Sequence, residues 1–306
     1  MREFRIDKTN SDITLFKYVR SVLKEAPKSF IYKLFRKKDV KVNKHWQNGD
    51  YILKENDIVS IYVTDEQIND FIKHQTIEAS NKINDIIVYE DQNVLIINKP
   101  RGLLLQPDSS GDISLDMMVK QYLAHKNELD DLSNVGPSHR LDRNTSGLVI
   151  FGKNLKSLNE LFKIVQDKTK LEKHYLALVR GIVDKEGVID MPLNKNEKTA
   201  TVYIDPNGKQ AISQYKCLET FQDKYSLVDV LLLTGRTHQI RVHLAYINHP
   251  IIGDRKYGDF PLNALFEEKY GLKHQYLHAY KICFKNIQGY LSYLNNRVFI
   301  DRKSVV

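Results

Sequence analysis

Asp142 stands between Arg140 and Arg143 in the stretch His-Arg-Leu-Asp-Arg-Asn-Thr-Ser-Gly, just ahead of an apolar run from Leu148 to Phe151. One carboxylate between two guanidinium groups reads in two ways. As an exposed ion pair it contributes little to stability. As a carboxylate held ionised by a nearby cation, it suits chemistry on an anionic substrate. Metal chemistry has weak support in this chain. His238 and His243 are five apart, no HExxH occurs, and neither Cys nor carboxylate stands at ligand spacing. His139 and His238 are therefore expected to hydrogen-bond around a site rather than to ligate. Cys217 and Cys283 belong to no CxxC pair and read as core or near-core thiols. No GxGxxG or GxxxxGK[ST] occurs, so no motif calls for a nucleotide cofactor.

The charge distribution points to the class of partner. The 306 residues carry a formal net charge of +8, with 42% hydrophobic and 27% charged residues. Between Lys17 and Lys44 ten Lys and Arg face only Glu25 and Asp39, a local +8 that equals the whole surplus. A concentrated basic segment suits a polyanion. No run of about 18 apolar residues is present, and the start of the chain is polar. A cytoplasmic location and no membrane partner are expected.

The elements that must carry these residues can be read from periodicity. Leu15, Val19, Val22 and Leu23 have helical spacing, and Pro27 interrupts. Ser29 is expected to cap a second helix with Phe30, Ile31, Leu34 and Phe35 on its apolar face. Lys33, Arg36, Lys37 and Lys38 then point elsewhere. Short strands are expected at 40–43 and 58–63 around the turn Gln-Asn-Gly-Asp. This layout resembles an S4 RNA-binding domain over 11–64, which implies RNA contacts by Lys33, Arg36, Lys37 and Lys38. Residues 65–83 are polar without sustained pattern and read as a linker. Over 84–300 the expected elements are two strands across an Asp-Gln-Asn turn and a helix after Ser114. A buried strand follows at 147–151. Next comes a helix capped by Asn154, with Leu155, Leu158, Leu161, Phe162 and Val165 at period 3.6. Strands are expected through 174–183, 211–221 and 225–233, and then a helix from a polar start at Thr237. Consecutive strands with single helices favour α+β over a doubly wound sheet.

The stretches "HRLDRNTSGL", "LEKHYLALVRG", "TGRTHQIRVHLAYINHPIIGDRKYG" and "YLHA", in that order, resemble the RluA-type family of RNA pseudouridine synthases. The resemblance implies an α+β pseudouridine synthase fold with a central mixed, mostly antiparallel sheet. It also implies isomerisation of uridine in RNA without cofactor or metal. With an S4-like module ahead, the substrate implied is 23S (large-subunit) ribosomal RNA, and the protein is expected to be a monomer. By the same resemblance Asp142 is the catalytic carboxylate and Arg241 its cationic partner. Tyr175 stacks on the flipped uracil and is a candidate base. Arg140 enters the RNA stack, Leu277 packs on the base, and His139 is substrate-binding. With Arg241 paired to Asp142, both Arg140 and Arg143 are expected to be free for RNA. Gln106 stands where a His is usual, and His274 where an Arg often precedes the Leu-His-Ala segment. Two other readings compete: a non-catalytic RNA-binding or ribosome-assembly protein, and a synthase acting on tRNA. A hydrolase would need two positioned carboxylates, and no second acid is near Asp142 in the sequence.

Overall fold

Thr14 starts the first helix by accepting the Lys17 N–H at 3.3 Å, which satisfies one of the donors a helix start leaves open. The computed structural model describes residues 2–7, 10–23, 26, 28–64, 83–108, 110, 112–126, 132–197 and 199–301. The chain forms two units, Met1–Lys82 and Ile83–Val306. The stretch expected to be a linker lies outside the described residues except for Ile83, which is buried.

In the first unit the order is β1 (Arg2–Arg5), α1 (Leu15–Val22), α2 (Lys28–Lys37), β2 (Val40–Val42), β3 (His45–Trp46) and β4 (Ile58–Ile61). The antiparallel sheet runs β1-β4-β2-β3. Helix α2 begins at Lys28, so Ser29 lies inside its first turn rather than at the cap. β1 lies ahead of the 11–64 span and pairs with β4 from Arg2↔Ile61 to Arg5↔Ile58. Its Arg-Glu-Phe-Arg carries too few apolar residues to signal a strand. Ile31, Leu34, Val40, Val42, Val59 and Ile61 form the core with Leu15 and Val19. Lys33, Arg36, Lys37 and Lys38 remain exposed.

In the second unit the strands are β5 (Ile87–Glu90), β6 (Val94–Lys99), β7 (Gly136–Pro137), β8 (Ser146–Gly152), β9 (Leu171–Arg180), β10 (Glu186–Asp190), β11 (Leu193–Asn196), β12 (Thr201–Ile204), β13 (Ile212–Phe221), β14 (Tyr225–Leu232), β15 (Leu277–Phe284) and β16 (Val298–Ile300). The helices are α3 (Leu115–His125), α4 (Leu155–Gln166), α5 (Gln239–Tyr246) and α6 (Phe260–Tyr270). A ten-stranded sheet has the path β10-β13-β14-β9-β15-β8-β6-β5, with β16 on β15 and β7 on β8. All its described pairings are antiparallel except β15 with β8.

The sequence explains which strands are central. Val94–Ile97 and Leu148–Phe151 are continuous apolar runs, and all eight side chains are 0% exposed. Such runs belong to strands covered on both faces, and each fully buried aliphatic side chain contributes about 1.5–3 kcal/mol. β14 instead alternates, burying Ser226, Val228, Val230 and Leu232. Asn154 caps α4 in a reciprocal box with Ser157. The buried face of α4 is Ser157, Leu161 and Ile164, whereas Leu155 and Phe162 are exposed. Phe162 is turned one residue, about 100°, off the Leu161 face, and Leu155 sits at the helix's first position, beyond that face.

The parallel seam between β8 and β15 is tight. Gly147 has φ +116, and a Cβ there would collide with the Ala279 backbone. Beside it, Ser146 Oγ lies 2.9 Å from His278 Nδ1, and His278 Nε2 lies 3.0 Å from Asp301 Oδ2. Asn98 Nδ2 donates to that same oxygen at 2.6 Å. Gly147→Ala combines forbidden backbone with backbone overlap, so it is expected to cost about 2–4 kcal/mol. Urea unfolding would show this as a lower midpoint at unchanged slope.

Candidate active site

Asp142 occupies the loop between β7 and β8, and that loop is held from below. Lys99, at the end of β6, is 0% exposed, and its ammonium donates to the carbonyls of Pro100 at 3.0 Å, Leu103 at 2.8 Å and Arg143 at 2.9 Å. Burial pushes Lys99 down to about 7, while the Asp142 carboxylate pulls the other way. The Asp142 carbonyl accepts from Thr145 N at 3.1 Å and closes the turn.

Helix α5 brings Arg241 to this loop. Its Nη1 donates to Asp142 Oδ2 at 2.9 Å. Its Nε and Nη2 make a fork onto Asp254, at 2.7 and 2.9 Å. Asp254 is 0% exposed and also accepts from Lys256 N at 2.8 Å and Tyr257 N at 3.1 Å. Burial alone would raise the Asp254 pKa, but Arg241 and the two backbone donors outweigh it and hold it below the ordinary carboxylate value. Burial disfavours the Arg241 cation, and the carboxylates reverse this and raise its pKa. The guanidinium also lies over the Tyr257 ring, 5.1 Å from its centroid.

His238 sits at the α5 N-terminus in left-handed backbone, φ 53. Its Nδ1 is 2.8 Å from Tyr257 Oη, and that hydroxyl accepts the Val202 N–H at 2.9 Å. Its Nε2 is 3.7 Å from Asp142 Oδ2. Burial lowers the His238 pKa, and Asp142 opposes the shift.

A cavity of about 430 Å³ opens over this pair. Asp142, Tyr175, Arg241, Arg140, Leu277 and His139 all line it. Tyr175, on β9, is 4% exposed; burial and then the Asp142 charge raise its pKa, so the phenol stays neutral. A neutral phenol is a poor base but keeps its ring face. Leu277 opens β15 opposite Ala177. His139 Nε2 accepts from Ile150 N at 3.2 Å, and burial pushes the ring down to about 3, so it is a neutral wall. Arg140 is exposed.

Arg143 departs from expectation. It is not free, because Nε donates to Gly102 O and Nη2 to Asp112, each at 3.0 Å. These bonds close the loop and leave Arg140 as the cation of the motif directed to the cavity. The sequence reading also missed Asp254, Tyr257, Lys99 and the loop 234–237. Asp254 had a local signal: Gly253 at φ +81 followed by an Asp whose side chain accepts N–H groups two and three residues on. Gln239 fixes the 234–237 loop by accepting from Thr234 Oγ1 at 2.7 Å and Arg236 N at 3.0 Å. Cys283 is buried and Cys217 half-buried, both free thiols.

One carboxylate oxygen is thus fixed by a guanidinium, beside a neutral aromatic ring and an apolar wall, in a cavity of nucleoside size. That arrangement can present an anion to an electrophilic carbon while a planar ring stacks nearby.

The RNA pseudouridylate synthase family model matches residues 93–246, which carry both Asp142 and Arg241. A Mycoplasma capricolum protein described as an uncharacterized RNA pseudouridine synthase is 36% identical over 98% of this chain and 97% of that protein. The ribosomal large subunit pseudouridine synthase C of Vibrio parahaemolyticus is 36% identical over 92% of this chain and 87% of that protein. Among solved structures, human RNA pseudouridylate synthase domain containing 4 superposes with a TM-score of 0.60 at 20% identity, over 75% of this chain and 93% of that one.

Proposed function

The chain belongs to the RNA pseudouridylate synthase family, and on that premise we propose that it isomerises uridines of large-subunit ribosomal RNA with Asp142 as the reacting carboxylate. The observation that carries the assignment is the Arg241–Asp142 bond inside the cavity. The substrate assignment rests on relatives such as the Vibrio parahaemolyticus protein, whose name states the ribosomal large subunit.

The reaction breaks N1–C1′, turns the uracil and joins C5 to C1′; C5 gives up its proton, N1 gains one, and the redox state does not change. Arg241 and His238 face Oδ2 of Asp142, and among the described residues no side chain donates to Oδ1. Oδ1 is therefore the atom that acts on the ribose. The target uridine must leave its stack to reach it. Tyr175 then supplies a ring face, Leu277 the apolar wall, and Arg140 a guanidinium plane for the vacated position. Burial keeps Tyr175 a neutral phenol at rest, and its ring face serves as the platform.

In this reading the N-terminal unit is an S4-like module that adds affinity. Its exposed Lys33, Arg36, Lys37 and Lys38 are suited to phosphates, and Lys38 lies over the half-exposed Trp46 ring at 5.4 Å. Mapping pseudouridines in total RNA with and without the protein tests the substrate: loss confined to tRNA would sink the ribosomal assignment. Deleting residues 1–82 is expected to weaken rRNA binding and to flatten its salt dependence by about 0.7 per lost phosphate contact. Turnover at saturating RNA should survive. An unchanged salt slope would show that the basic face does not touch RNA.

A further inference from the structure

Lys173 is the unexplained charge of this site. It lies on β9 two residues before Tyr175, so the two side chains share a face of the sheet. It is only 8% exposed and lines the same cavity. Among the described residues its ammonium has no ion-pair or hydrogen-bond partner. Burial pushes it down to about 8, and the one charge felt strongly enough to add to this is another cation, Lys168. Lys168 in turn is lowered by burial and by Arg236, with Asp167 opposing. His139 is lowered by burial and then by Lys173.

Lys168, Lys173 and Arg236 all line the cavity. Two are anchored through groups that leave their charge unneutralised. Lys168 Nζ donates to Val165 O, and Arg236 Nε to Gln210 O, each at 2.9 Å. The loop 234–237 passes Lys173 at Gly235, where an added Cβ would lie 3.9 Å from Nζ. A side chain at that position would narrow the approach to the ammonium. A buried cation without a counter-charge is costly unless a ligand supplies the anion.

We propose that Lys173, Lys168 and Arg236 form an anion subsite that grips a backbone phosphate flanking the target nucleotide. The phosphate is the anion that a nucleotide necessarily carries into a cavity whose reacting carboxylate repels negative charge. Gripping it would fix the ribose relative to Oδ1 of Asp142, while Tyr175 on the same strand meets the base. The subsite rests on the RNA reading but not on the ribosomal one.

The test couples a protein change to a substrate change. The substrate is a short synthetic RNA around a uridine that the wild-type protein modifies in cells, located by pseudouridine mapping. It is made with the natural phosphate or with a neutral methylphosphonate, on the 5′ or the 3′ side of the target. For wild type, one of the two methylphosphonates should raise the half-saturating RNA concentration about tenfold, the scale of one charge-assisted contact. Lys173→Met and Arg236→Met should each raise it several-fold on natural RNA, and that methylphosphonate should cost them clearly less than it costs wild type. Arg236→Lys should restore near-wild-type coupling. If wild type ignores both neutral linkages, or if the losses multiply in the variants, the subsite is wrong. Should Lys173→Met fail to fold, exposed Arg236→Met carries the same comparison. Failure of the ribosomal assignment shows separately, as a mapped uridine outside rRNA.

Discussion

Asp142→Asn is expected to reduce single-turnover pseudouridine formation by on the order of 10⁴-fold, the scale on which removal of a reacting side chain is felt. The substitution keeps the shape of the carboxylate. The amide oxygen of the new side chain can still accept from Arg241 Nη1, whose other donors remain on Asp254. Circular dichroism, unfolding midpoint and RNA affinity should therefore stay near wild type. A variant that turns over within tenfold of wild type would remove Asp142 from the chemistry and restore the plain ion-pair reading.

Arg241→Met is expected to fail in two separable ways. Asp254 would be left fully buried with only the Lys256 and Tyr257 amides, and breaking a buried pair on one side costs about 3–5 kcal/mol. Asp142 would also lose the donor that aligns it. The double variant Arg241→Met with Asp254→Leu separates these effects. Replacing both charges by apolar groups should recover most of the stability and none of the activity, since Asp142 remains unaligned. Recovery of turnover along with stability would show that Arg241 is structural only. The pH dependence has a definite sign. The folded-state pKa of Asp254 is lowered, so its contribution to stability is present above the ordinary carboxylate value and is lost as pH falls through the folded one. Acid unfolding should therefore be shallower in the double variant than in wild type.

Much of the site was legible because it is built from contiguous motifs. His139, Arg140 and Asp142 lie in one loop, Tyr175 on a recognisable strand, Arg241 on a helix that starts with polar residues, and all of them line one cavity. The capped helices after Ser114 and Asn154 were legible for a local reason, a side chain accepting an N–H three residues on. What was not legible depends on tertiary neighbours. Arg143 reads like Arg140, yet Gly102 and Asp112 engage it. Lys173 reads like any polar residue of a strand, and only the sheet shows that it is buried, with no ion-pair partner among the described residues. Asp254 lies 13 residues after Arg241, too far for any local pattern to pair them.

The parallel seam has a consequence for the order in which the molecule can be completed. It joins Ser146–Gly147 to His278–Ala279, and its support comes from Asp301, which Asn98 contacts across 203 residues of chain. Closing a loop that long costs entropy before the contacts it enables can offset the loss. The strand that carries Leu277 into the cavity can dock only after most of the chain has been synthesised. A nascent polypeptide that already contains Asp142, Tyr175 and Arg241 thus still lacks one wall of its cavity. Full activity is expected to arrive late and abruptly during synthesis rather than to grow with chain length.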